Sequence, residues 1–227
     1  MEKKLMQINI NDFPSPLHFA LEGAHIYDSS CHSGAVVLYS DLGYYIKIDE
    51  KEKLCVEARL TERFSQIGLG AEYVCYLSED RDYLVTREVT GQDMTHYLDE
   101  PELLCKILAE SLCRLHDQSV DGLPISLSMQ AYTPESQYGL KRDTLIHGDA
   151  CLPNLIMENG RFRSFIDVGQ AGVGDRHIDL YWAIWSLQYN LGTDAYTDLF
   201  LDLYGRGKVD EELLRVVAEV EASYDDK

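Results

Sequence analysis

No stretch of the chain strings together the about 18 apolar residues that a helix needs to cross a bilayer, and no N-terminal segment joins basic residues to an adequate apolar core. The expectation is a cytoplasmic protein without a membrane span or targeting segment. Basic residues are scarce: 20 Lys and Arg stand against 39 Asp and Glu, a formal net charge of -19. Such a surface repels phosphate backbones and anionic lipid and attracts cations, which argues against nucleic-acid or membrane partners and for a cationic small molecule. Cysteine pairing is missing too. The cysteines at 31, 55, 75, 105, 113 and 151 include no C-x-x-C, and several sit in apolar runs where a thiol acts as a small hydrophobe, so they read as reduced. Internal repeats and low-complexity tracts are also absent.

What is present suits a globular fold. With 227 residues, 45% of them hydrophobic, the chain can bury a sizeable core as one large domain or two lobes. From Ala35 to Ile48, AVVLYSDLGYYIKI alternates β-branched and aromatic residues around a Ser-Asp-Leu-Gly turn and predicts a hairpin. From Lys51 to Ile67 a helix is predicted, with Leu54, Ala58, Leu60, Phe64 and Ile67 near helical spacing and Gly68 and Gly70 as the stop. A second hairpin is predicted from Glu72 to Glu88, and Gly91 marks a change to helical patterning. Pro101 to His116 has proline at a helix start and leucines on one face, and a loop follows to about residue 140. Short β-rich runs at Thr144 to Ile146 and Arg163 to Val168 precede helices from Asp179 onward. Strands thus precede helices, which argues an α+β fold with a small β-rich lobe over residues 1–90 and a helical lobe over 91–227.

The strongest local signal is His147-Gly148-Asp149-Ala150-Cys151-Leu152-Pro153-Asn154, followed after a hairpin-like stretch by Ile166-Asp167-Val168-Gly169. Phosphoryl transfer needs an acceptor-only group to orient a hydroxyl and take its proton, plus oxygen ligands for Mg²⁺ on the phosphates. This spacing supplies both. The stretch resembles the catalytic loop and metal-binding aspartate of the protein-kinase-like superfamily, in the H-G-D-x-x-x-x-N and I-D-x-G versions of aminoglycoside phosphotransferases. The match extends through GVGDRHIDL, from Gly172 to Leu180. The resemblance implies a two-lobed protein-kinase-like fold with ATP in the cleft, Asp149 as catalytic base, and Asn154 and Asp167 as Mg²⁺ ligands. In this family His147 shapes the loop.

The resemblance also assigns the N-terminal half. Lys47, read as the only lysine in a clearly strand-like run, is the candidate for the α and β phosphates, and Glu57 on the following helix is its ion-pair partner. Ser33 and Gly34, in a short loop between the candidate first and second strands, would approach phosphate oxygens. The Arg87 carbonyl and Val89 amide match the hinge groups that bind adenine. At the C-terminus Glu221 and Tyr224 are loosely similar to an acidic, aromatic-ended tail that holds aminocyclitol rings.

Three features depart from typical relatives: the link from Asp117 to Ile146 is short, Gln170 follows I-D-x-G where some have arginine, and Gln188-Tyr189-Asn190 stands where acids often grip ammonium groups. A smaller or more openly bound acceptor is expected. The leading activity is phosphorylation of an aminoglycoside 3'-hydroxyl by a monomer or weak dimer. A metabolic kinase for choline or an amino sugar is the alternative within the class, and a non-catalytic pseudokinase the alternative outside it.

Overall fold

The computed structural model describes residues 4–30, 34–130, 132 and 139–225, with side chains to residue 222. It divides into two compact units, Met1–Val89 and Thr90–Lys227.

The first unit is built on a six-stranded antiparallel sheet from β1 (Lys4–Met6), β2 (Ile26–Asp28), β3 (Val36–Ser40), β4 (Tyr44–Glu50), β5 (Tyr73–Ser78) and β6 (Arg81–Arg87), in the order β1-β2-β3-β4-β6-β5. Period-two alternation sorts β4 into two faces. Ile46 and Ile48 join Leu38, Tyr83 and Val85 in a core closed by Leu17, Ala20 and Leu21 from the N-terminal segment, which includes α1 (His18–Leu21). On the other face Leu84 packs with Leu54 and Ala58 beneath α2 (Cys55–Gln66). Two expectations need correction. β1 was not anticipated, because its three residues lack alternation and Leu5 is exposed, so the Ser33–Gly34 loop joins the second and third strands and Lys4 is a second strand lysine. The helix starts at Cys55 rather than near Lys51, because residues 51–54 form a turn whose Leu54 amide is held by the Asp82 carboxylate at 2.8 Å.

The second unit is helical with small sheets. Its helices are α3 (Pro101–His116), α4 (Leu127–Gln130), α5 (Arg176–Leu191), α6 (Thr197–Tyr204) and α7 (Glu211–Asp225). α4 lies in the stretch read as loop. β7 (Gln92–Asp93), β9 (Leu155–Glu158) and β10 (Arg161–Phe165) form one sheet, and β8 (Thr144–Ile146) pairs with β11 (Gly172–Gly174). α5 begins at Arg176, earlier than expected, because the Asp175 side chain caps it by accepting from the His177 amide at 2.9 Å. β10 stops at Phe165 rather than Val168, since Asp167 turns left-handed at φ 54 and residues 168–170 form a 3-10 turn. No helix among the described residues is long and apolar enough to cross a membrane. The described cysteines, Cys55, Cys75, Cys105, Cys113 and Cys151, are free thiols, and Cys31 lies outside the described residues.

Two buried carboxylates fasten these elements. Asp82 accepts from the Leu54 amide and the Tyr76 hydroxyl, and Asp175 accepts from the amides of Lys141 and His177. Burial favours the neutral acid at both, but the hydrogen bonds outweigh it and hold both groups below the ordinary carboxylate range. Their contribution to stability is therefore complete above the ordinary value of about 4 and lost as pH falls through the depressed values. The urea midpoint, followed by circular dichroism, is expected to decline on acidification below about pH 4, and less steeply in Asp175→Asn. Equal slopes in the two proteins would show that Asp175 contributes no such linkage.

Candidate active site

Lys47 lies mid-strand in β4, paired with Val37 and Leu84 on its two neighbours. Because Ile46 and Ile48 point into the core, Lys47 points to the α2 face, where its Nζ meets Glu57 Oε1 at 2.8 Å. Their side chains are only 18% and 11% exposed, so the pair is shielded from water. Glu57 sits in the first turn of α2, where the helix dipole favours a carboxylate.

The Lys47 face carries residues that sequence reasoning missed. Tyr45 shares it by the strand period, Tyr39 pairs with Tyr45 across the ladder, and Tyr27 pairs with Tyr39. Ring centroids are 5.0 Å apart for Tyr39 and Tyr45 and 6.0 Å for Tyr27 and Tyr39. The Tyr39 hydroxyl donates to Glu88 Oε2 at 2.9 Å, and burial together with that carboxylate pushes its pKa up to about 12. The signal was present as the tyrosines of VLYSDLGYYIK. At the end of this unit, the Arg87 amide donates to the Glu72 carbonyl and its guanidinium lies over the Tyr44 ring, while the Glu88 amide donates to the Gly43 carbonyl. Val89 closes the unit. Gly34 is exposed just before β3; Ser33 lies outside the described residues.

In the second unit the catalytic-loop candidates come together. The Asn154 amide nitrogen donates to Asp149 Oδ2 at 2.9 Å and to the Asp149 carbonyl at 3.0 Å, leaving the Asn154 side-chain oxygen directed elsewhere. Asp167 is brought close in register, since the Ile166 amide donates to the Asn154 carbonyl at 2.9 Å. His147 is buried. Its Nε2 donates to the Ile166 carbonyl at 3.0 Å while Nδ1 accepts from the Asp149 amide at 3.3 Å, which fixes one neutral tautomer and ties the two motifs together. Gly148 has φ 83, and a Cβ there would collide with the Gln170 carbonyl, so the loop needs glycine on two counts.

Asp179, which sequence reasoning quoted within GVGDRHIDL without a role, anchors the loop. Its fully buried carboxylate accepts from the amides of His147 at 2.8 Å and Gly148 at 2.7 Å, and meets His116 Nε2 at 3.0 Å. His116 in turn bonds the Tyr204 hydroxyl through Nδ1 at 2.8 Å. Ser186, one stripe along α5, accepts from the Leu152 amide at 2.9 Å. The Cys151 thiol is pushed up by burial first and by Asp149 second, which keeps it protonated and inert. Away from the loop, Glu221 accepts from the Tyr132 hydroxyl. Tyr224 lies on α7, and its side chain is outside the described ones.

Residues 129–217 match the phosphotransferase enzyme family, APH. A probable aminoglycoside 3'-phosphotransferase of Lactococcus lactis subsp. lactis (strain IL1403) is 40% identical, with 94% of this chain and 96% of that protein covered. An aminoglycoside 3'-phosphotransferase of Niallia circulans is 32% identical over 59% of this chain and 64% of its own length. Among solved structures, an aminoglycoside-3'-phosphotransferase of type VIII superimposes with a TM-score of 0.69 at 20% identity, covering 93% of this chain and 98% of that one. The aminoglycoside phosphotransferase APH(3'')-Id from Streptomyces rimosus, in complex with ADP and streptomycin, gives 0.68 at 17% identity, covering 95% and 98%. The fold is the α+β protein-kinase-like fold of these enzymes. With a relative this similar along almost the whole chain, the protein belongs to the aminoglycoside phosphotransferase family.

Proposed function

We propose that the protein transfers the γ-phosphoryl group of ATP to a hydroxyl of a cationic small molecule, with the 3'-hydroxyl of an aminoglycoside as acceptor. The observation that carries this reading is the arrangement of Asp149, Asn154 and Asp167 on loops tied to each other through His147 and the Asn154–Ile166 bond. The Asn154 amide holds the Asp149 carboxylate in orientation, so Asp149 is ready to align an acceptor hydroxyl and take its proton.

The donor set suits Mg²⁺. Among the described residues no group of three or more His, Cys, Asp or Glu forms a self-sufficient metal site, whereas the Asn154 oxygen and the Asp167 carboxylate are hard ligands of the number Mg²⁺ takes beside water and phosphate. When bound, Mg²⁺ neutralises charge on the β and γ phosphates.

Lys47, steadied by Glu57, serves the α and β phosphates, and the Tyr39–Tyr45 pair on its face offers a nucleobase a stacking surface. Ser33 and Gly34, with the Arg87 carbonyl and Val89 amide, complete the nucleotide contacts, and Glu221 and Tyr224 serve the acceptor. The acidic chain favours a polycationic acceptor, and use of ATP as donor suits a cytoplasmic enzyme.

Three outcomes test the reading. Mg²⁺-dependent ATP consumption is expected with kanamycin or neomycin, and Asp149→Ala should lose roughly 100-fold or more in kcat; turnover with choline or amino sugars alone would reject the aminoglycoside assignment. Lys47→Ala should cut kcat/KM for ATP by about 100-fold, and unchanged nucleotide kinetics would reject its role. Asp179→Asn, which sets an NH2 donor against one of the two loop amides, should lower kcat about 100-fold by displacing the loop while the KM for ATP stays near native. A native kcat in that variant would mean that the anchor is dispensable for loop geometry.

A further inference from the structure

One edge of α5 carries an aromatic ladder that folding alone does not explain. Trp182, Trp185 and Tyr189 recur at i, i+3 and i+7, one stripe of a helix. Trp182 meets Trp185 edge-on with centroids 5.6 Å apart, and Trp185 lies parallel to Tyr189, 5.1 Å apart at 9°. The stripe begins in the core, where Trp182 packs with Tyr181 and Val220 against Ile146, Ile178 and Val217. It then emerges: Trp185 is 40% exposed and Tyr189 73%. Packing accounts for Trp182 but not for a stacked pair of rings left in water.

The ladder adjoins the catalytic loop within the same unit. The Trp182 carbonyl accepts from Cys151 Sγ at 3.9 Å, and Ser186, on the neighbouring stripe, accepts from the Leu152 amide. These loop residues directly follow Asp149 and Ala150. After Arg176 in its first turn, the described part of α5 carries no lysine or arginine, and Tyr132 of the adjoining cluster donates to Glu221 on α7.

We propose that the Trp185–Tyr189 stack is the platform on which an amino-sugar ring of the acceptor lies, its C–H face on the rings and its ammonium groups drawn by their π faces and by Glu221. This rests on the aminoglycoside reading above and deepens it by naming the residues that grip the acceptor. Indole is the strongest cation–π partner among the side chains, and in the parallel Trp–Tyr stack the outer face of the exposed Tyr189 ring offers a flat surface of the size of a sugar ring. Recognition by ring faces takes over part of what carboxylates at Gln188, Tyr189 and Asn190 would do by charge.

The test uses the whole chain. Tyr189→Ala and Trp185→Ala should each raise the KM for neomycin about tenfold and leave the KM for ATP unchanged, and Tyr189→Phe, which keeps the ring, should restore it. In parallel, Trp182→Phe leaves Trp185 as the sole indole, and its fluorescence should change saturably with neomycin. Aminoglycoside turnover with unchanged neomycin KM in both alanine variants would overturn the platform and leave the proposed function standing. Absence of turnover with a saturable Trp185 response would overturn the function and keep the platform. Silence in both assays would remove both.

Discussion

The buried carboxylate of Asp179 is the constraint on which the second unit turns. A carboxylate shut off from water is costly unless its oxygens are satisfied, and here the His147 and Gly148 amides and His116 Nε2 do so. That requirement draws the backbone of the catalytic loop onto α5, and the left-handed turn at Gly148 follows from it. Asp149 is the next residue, so its position is inherited from the anchor. Through His116 and Tyr204 the same carboxylate ties α3 and α6 to α5, and the helices that surround the loop share one hydrogen-bonded centre.

The first unit solves a different problem with the same economy. β4 buries one side and turns a cation to the other, and the strand period does both at once: Ile46 and Ile48 supply core, while Lys47 and Tyr45 lie on the face of the proposed nucleotide contacts. Since the opposite face also receives α2, Lys47 is shielded enough for its pairing with Glu57 to matter, unlike an ordinary surface ion pair. The Asp82 carboxylate that holds Leu54 at the head of α2 belongs to the same arrangement, because it sets where the first helical turn, and hence Glu57, begins.

Acidity has to be managed as well. The few basic residues are shared among several acids: Arg206 engages Asp198, Asp202 and Glu211, and Arg215 engages Glu212 and Glu219. Exposed pairs of this kind add little stability each, but they reduce repulsion along α6 and α7 while leaving the net charge strongly negative. The excess suits the polycationic acceptor proposed for the enzyme.

The sequence by itself determined the elements governed by local rules. The hairpins around Gly43 and Asp80 follow from alternation and turn residues, α3 runs from Pro101 to His116 as its proline and leucine spacing dictate, and the His147 to Asn154 spacing marks the loop. Short or irregular pieces were not legible: β1 has too few residues for a period, and the stop of β10 depends on a left-handed Asp167 that composition does not announce. Tertiary structure alone decided the pairings between distant residues. Lys47 meets Glu57 only because α2 packs on the sheet face to which Lys47 points, and Asp179 matters only because His116, Tyr204 and the loop amides converge on it. A period or a cap is written within one turn or strand, whereas such convergence is set by how the elements pack, and no local pattern in the chain encodes it.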